Sequence, residues 1–211
     1  RYRSSAASDV YKRQHQEYSL DEARSLYTEA LVEIVAQGRK FEAALTHSNL
    51  GSLELQALDL SRAERHLLTA LGMALALDSV WLRSIISASL GALNIYRDEY
   101  AAAERVIDDG VRLSQDNSYP RMMAYNLAQR GALCYARGEL EAGLAALNTA
   151  AEVIAAQGDR SVRCIVLMRR GATLLALGRA EEGHRDLTDA CADPSMSAAA
   201  DIWRGSAHAR I

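Results

Sequence analysis

The sequence predicts an all-α fold, an α-solenoid of antiparallel helix pairs, and three observations predict it. Ala supplies 38 and Leu 28 of the 211 residues, while Phe occurs once and Trp and Pro twice each. That composition favours helix and argues against sandwiches, barrels and parallel-sheet enzymes. Second, Gly51, Gly91, Gly131 and Gly171 are spaced by 40 residues each time. Third, further columns keep the same register. One is small (Ala23, Ala63, Ala103, Gly143, Gly183), the next is large and apolar (Tyr27, Leu67, Ile107, Leu147, Leu187), and a third is small again (Ala30, Ala70, Gly110, Ala150, Ala190). A fixed period without gaps marks a repeat architecture, in which each unit packs on its neighbours.

Taken in order, residues 4–14 read SSAASDVYKRQ and resemble a translated sequencing-library adapter. Residues 1–14 are therefore expected to be an artefact and are set apart from the fold. Residues 15–211 are expected to form a single array. Within it, 19–37 form the second helix of a repeat whose first helix is missing. Complete pairs follow over 41–77, 81–116, 121–157 and 161–193, and 197–211 begin one more first helix. Short turns at Leu58-Asp59, Asp98-Glu99, Gly138-Glu139 and Gly178-Arg179 separate the helices of a pair. Longer polar joints separate the pairs, at Gln37-Gly38, Asp78-Ser79, Gln115 to Pro120, Gly158-Asp159 and Asp193-Pro194, and both prolines fall there. A glycine inside a helix costs about 1 kcal/mol relative to Ala. Its recurrence at one phase predicts a close approach of two backbones, with Gly51, Gly91, Gly131 and Gly171 facing the small residues Ala63, Ala103, Gly143 and Gly183. The apolar column fills the space beside them. Neither end carries a polar capping face, and Ile202, Trp203 and Ile211 are apolar, so apolar surface is expected at both ends.

The fragments LGSLELQALDLSRAERHLLTA (50–70), LGALNIYRDEYAAAERVIDDG (90–110), RGALCYARGELEAGLAALNTA (130–150) and RGATLLALGRAEEGHRDLTDA (170–190) resemble the tetratricopeptide repeat family. The resemblance covers residues 19 to about 193. The period is 40 residues, against about 34 in the usual repeat. Longer repeats of this kind look like those of large bacterial signalling proteins, such as LuxR-type regulators and multidomain kinases. The array is thus expected to be a right-handed α-solenoid. Arg130 and Arg170 depart from the pattern, standing in a column that is apolar at Leu50 and Leu90.

Composition narrows the function classes. Cys134, Cys164 and Cys191 form no CxxC spacing, so a disulfide scaffold is not expected and a reducing cytoplasm is. No run reaches the ~18 apolar residues of a membrane span. The net charge of -3 offers no electrostatic case for nucleic acid. No HExxH, Walker, GxGxxG or GxSxG motif is present, so no catalytic residue, cofactor or metal is expected. His47, His66 and His184 share no ligand spacing, and His66 and His184 read as solvated faces. Asp108-Asp109 and Glu181-Glu182 are adjacent on helices and point about 100° apart, so neither pair converges on one proton. Arg160, Arg163, Arg169 and Arg170 read as a charged flank interleaved with Asp159 and Glu181, the alternative being a binding patch for an acidic partner.

The resemblance implies that ligands lie in the concave groove lined by the first helices. Carried onto this chain, that surface comprises Leu45, Ser48, Ser52 and Leu55, then Ile85, Ala88, Ala92, Ile95 and Tyr96. It continues with Tyr125, Ala128, Ala132 and Tyr135, and ends with Ile165, Met168, Ala172 and Leu175. These residues are small or apolar with a few tyrosines, and suit an apolar or helical protein segment. They equally suit packing of consecutive first helices on one another, which would close the groove. The expected function is a non-catalytic interaction or sensor scaffold within a larger bacterial signalling protein. The alternatives are the regulatory tail of a multidomain kinase or cyclase, and the effector-sensing region of a DNA-binding regulator. Uncapped ends also provide a route to self-association.

Overall fold

A computed structural model describes residues 20–192. The segments expected to be adapter-derived (1–14) and a further first helix (197–211), with Pro194, Ile202, Trp203 and Ile211, lie outside the described residues. Those described form helices throughout, in the order α1 (Leu20–Ala36), α2 (Lys40–Gln56), α3 (Leu60–Ala76), α4 (Val80–Tyr96), α5 (Tyr100–Asp116), α6 (Pro120–Arg137), α7 (Leu140–Ala155), α8 (Arg160–Ala176) and α9 (Ala180–Cys191). The closest packing is within α2–α3, α4–α5, α6–α7 and α8–α9. Each pair then packs on the next through α3–α4, α5–α6 and α7–α8, and α1 packs on α2. The chain is an all-α solenoid of antiparallel helix pairs.

The helices end by one device. A residue with left-handed φ occurs every 20 positions, at Gly38, Leu58, Asp78, Asp98, Ser118, Gly138, Gly158 and Gly178. At seven of these eight joints the next amide reaches back across the helix end, as Asp59 N does to Glu54 O (2.9 Å), Glu99 N to Asn94 O (2.9 Å) and Arg179 N to Leu174 O (2.9 Å). Such closures satisfy the last carbonyls of a helix. Side chains cap three of the following helices: Asp59 accepts from Arg62 N, Ser79 from Leu82 N and Asp159 from Val162 N. Joints within pairs and between pairs are therefore built alike. The expected long joint from Gln115 to Pro120 is absent, because α5 runs to Asp116 and Pro120 opens α6. Proline suits that first helical position, where its missing N–H has no helical partner to lose.

The glycine column is where the two helices of a pair lock. A Cβ placed on Gly51 would lie 2.6 Å from Leu67, on Gly91 2.5 Å from Ile107, on Gly131 2.5 Å from Leu147, and on Gly171 2.8 Å from Leu187. The space a methyl would occupy is thus filled by the large column of the second helix. The small columns also meet, most closely in the last pair, where a Cβ on Gly183 would lie 2.9 Å from Gly171 O. Ala63, Leu67, Ala103, Ile107 and Leu147 are fully buried in consequence. Ala23 and Tyr27, in the same columns of α1, are only half-buried, and Ala30 is exposed.

Polar residues in apolar columns hold specific partners, although the Oδ1 of Asn126 is buried without one. Arg170 makes a two-pronged ion pair with Asp186 (2.6 and 2.8 Å), and Arg130 pairs with Asp108. Asn126 stands where Ile86 and Val166 stand in neighbouring repeats. Its side-chain N–H donates to Ser84 O and Met122 O, each at 2.9 Å, joining α6 to α4. A Cβ on Gly110 would collide with its amide, which explains glycine in a column that is otherwise alanine. Ion pairs also clamp two junctions with one spacing: Arg97 to Glu64 (2.8 Å) and Arg137 to Glu104 (2.9 Å), 33 residues apart in both cases.

Candidate functional site: the inner face of the first helices

The layers are unequal. First helices touch across repeats, α2 with α4, α4 with α6 and α6 with α8, whereas second helices make no comparable contacts among the described residues. The first helices are therefore the more tightly stacked layer, and theirs is taken as the inner face.

The predicted groove residues divide by column. Ser48, Ala88 and Ala128 are buried, as is Leu55, which packs with Ala63, Leu67 and Leu93. Met168, with no later first helix packed on it among the described residues, is half-buried. Leu45, Ile85, Tyr125 and Ile165 form a half-buried row, as do Ser52, Ala92, Ala132 and Ala172, and Ile95 is half-buried too. Tyr96, Tyr135 and Leu175 are open to solvent, at 42%, 47% and 37% exposure. Part of the predicted surface is therefore packing and part is accessible face.

Between the two half-buried rows runs a polar column absent from the predicted set: Asn49, Ser89, Gln129 and Arg169. Ser52 Oγ and Ser89 Oγ are 3.0 Å apart, so the small row of one helix meets the polar column of the next. Ala92 with Gln129 and Ala132 with Arg169 are the corresponding residues 37 apart in the later repeats. Gln129 is 2% exposed, and its Oε1 is buried with no hydrogen-bond partner. Arg169 is half-buried as a residue, with Nε and Nη1 inaccessible to solvent. Burial opposes its charged form, while the nearby Tyr125 and Tyr96 favour it. A sequence signal for this column did exist: four polar residues at a 40-residue interval, one helical position beyond an assigned groove row.

Other predicted features are dispersed. Asp108 pairs with Arg130 and Asp109 with Arg112, so the adjacent carboxylates do diverge. Arg169 points into the inner face and Arg170 to Asp186, while Arg160 and Arg163 are exposed, so the four arginines form no single flank. His184 is exposed, with Nδ1 2.8 Å from Ala180 O. His66 is not a solvated residue: it is half-buried, with its Nδ1 3.0 Å from that of His47. Cys134 and Cys164 are buried, and burial pushes the Cys134 thiol up. The Cys164 thiol donates to Ala190 O at 3.0 Å.

Two cavities are lined by residues outside the predicted groove set. One of about 210 Å³ is lined by Trp81, Tyr119, Pro120 and Met122, beside the Phe41–Trp81 ring contact at 5.8 Å. The other, about 290 Å³, lies among Arg170, Arg179, Arg185, Glu182 and Asp186, where Arg179 pairs with Glu182 as Arg170 does with Asp186. Among the described residues no three His, Cys, Asp or Glu side chains cluster to hold a metal ion, and no helix is long and apolar enough to cross a membrane. No protein-family model and no curated protein matches the chain.

Proposed function

We propose that the chain is a tetratricopeptide-like interaction module whose concave face receives a protein segment, helical or apolar, with no chemistry of its own. The observation that carries this reading is the inner face itself. It has apolar rows from Leu45 to Ile165, accessible rings at Tyr96 and Tyr135, and a polar column between them. Tyrosine offers a large contact area with little entropy to lose, and aromatic anchors beside desolvated polar groups are where binding energy concentrates. We assign the module to a reducing cytoplasm and to a larger bacterial signalling protein, on its three cysteines without CxxC spacing and its repeat columns.

The test is partner capture with the longest available parent chain, comparing wild type with Tyr96→Ala/Tyr135→Ala. Loss of anchor residues costs about 2 kcal/mol each, roughly 30-fold in affinity per ring. Retention of every partner at unchanged affinity by the double variant would refute a concave binding face.

A further inference from the structure

His47 occupies the middle of α2 and His66 the second turn of α3, so the two imidazoles meet across the seam of the first complete pair. Their Nδ1 atoms are 3.0 Å apart, their ring centroids 5.3 Å, and the ring planes are inclined by 37°. The nitrogens therefore lie near the line joining the two rings, an end-on N–H···N arrangement. In the neutral pair one ring carries its proton on Nδ1 and donates, while the other carries it on Nε2 and accepts. A first added proton goes to the bare Nε2 of the donor ring and leaves the bond in place, now assisted by charge. A second must go onto the accepting Nδ1. That sets two N–H groups and two positive charges head to head, and the contact breaks.

We propose that His47 and His66 form a proton-operated latch on the α2–α3 seam, closed with one added proton or none and opened by the second. The charged groups around the latch do not remove this response. Burial is the main cause lowering the pKa of both rings, and for His47 the neighbouring His66 adds to it. Glu54 of α2 favours charge on His66, whereas Arg65 and Arg62 of α3 oppose it. The Glu54 carboxylate is itself held by Arg24 of α1, through bonds of 2.7 and 3.0 Å. No charged group of α4 is among those acting on either ring. Because the folded pair favours the neutral form, the unfolded chain takes up more protons near the ordinary histidine pKa of about 6.5. The contribution is full above that pH and is lost as pH falls below it through the lowered folded values.

The consequence is local. α1 carries no buried residue, and its ion pair to Glu54 anchors on the same helix as His47. Mild acid thus loosens the α1–α3 end of the array and spares α6–α9, since each repeat is held only by its neighbours.

The experiment is a long-range proton–nitrogen NMR titration of the labelled full chain from pH 7.5 to 5, with amide exchange corrected for intrinsic rates. Two imidazoles should show opposite tautomers at pH 7.5. Exchange in α2 and α3 should rise severalfold by pH 5.5, with α6–α9 unchanged. His47→Gln and His66→Gln should each abolish the pH response. Matching tautomers, or a pH response in α2–α3 that both variants retain, would overturn the latch. Should a variant fail to fold, the tautomer pattern of the wild type decides the matter by itself.

Discussion

Replacing Gly91 by alanine tests the lock between the two helices of a pair. The added Cβ would lie 2.5 Å from Ile107 Cγ1 and 3.0 Å from its Cδ1. Ile107 is fully buried and β-branched, so it has few rotamers into which to withdraw. The helix gains about 1 kcal/mol from Gly→Ala, but overpacking costs typically 1–3 kcal/mol and more where nothing can yield. A net loss of about 1–2 kcal/mol is expected. Gly72 supplies the control: it lies inside α3, exposed, and a Cβ there would meet nothing within 4 Å. Gly72→Ala should therefore stabilise by about 1 kcal/mol. Ile107→Ala alone should cost about 2–5 kcal/mol by leaving a cavity. In that background Gly91→Ala should recover stability, giving a favourable coupling of about 2 kcal/mol in the cycle. The assay is urea denaturation followed by helical circular dichroism. Equal effects of Gly91→Ala and Gly72→Ala, or additivity in the cycle, would show that the glycine column is no lock.

Three further outcomes follow from the same geometry. Gly110→Ala should destabilise by about 1–3 kcal/mol through collision with the Asn126 amide and the Ser87 Cβ, and Asn126→Ala should relieve only the Asn126 part of it, as read by the denaturation midpoint. Leu58 holds φ +58 on an exposed joint, so Leu58→Gly should raise the thermal midpoint, by removing a left-handed strain of about 1 kcal/mol. The hydrogen bonds from Arg97 and Arg137 hold the Glu64 and Glu104 carboxyls below their usual 4.5. These pairs contribute above that pH and are lost as pH falls through the lowered values. Arg97→Ala should return Glu64, but not Glu104, toward its ordinary pKa in a carboxyl NMR titration.

Much of the architecture is legible because the glycine, small and apolar columns are local consequences of close packing repeated at one interval. The joints are less so. Half of the left-handed positions are Leu58, Asp78, Asp98 and Ser118, not glycine, so turn composition hides a 20-residue rhythm. The ion pairs that admit Arg130 and Arg170 into an apolar column depend on acids 22 and 16 residues away, on other helices. The His47–His66 contact likewise arises from antiparallel helices folding back about the turn at Leu58, which sets residues at similar distances on either side against each other. The inner polar column is hard to read because its members, Asn49, Ser89, Gln129 and Arg169, share a position and polarity but no residue type.

A curved stack with the first helices inside must shorten the repeat spacing along its inner side. Spin labels at exposed positions one period apart measure this directly, by electron–electron distances. One set is Gln56, Tyr96, Ala136 and Ala176 on the first helices; the other is Leu68, Asp108, Asn148 and Thr188 on the second. Label-to-label spacings should be shorter along the first set than along the second at every step. Equal spacings, or shorter ones on the second helices, would contradict a concave face built from the first helices.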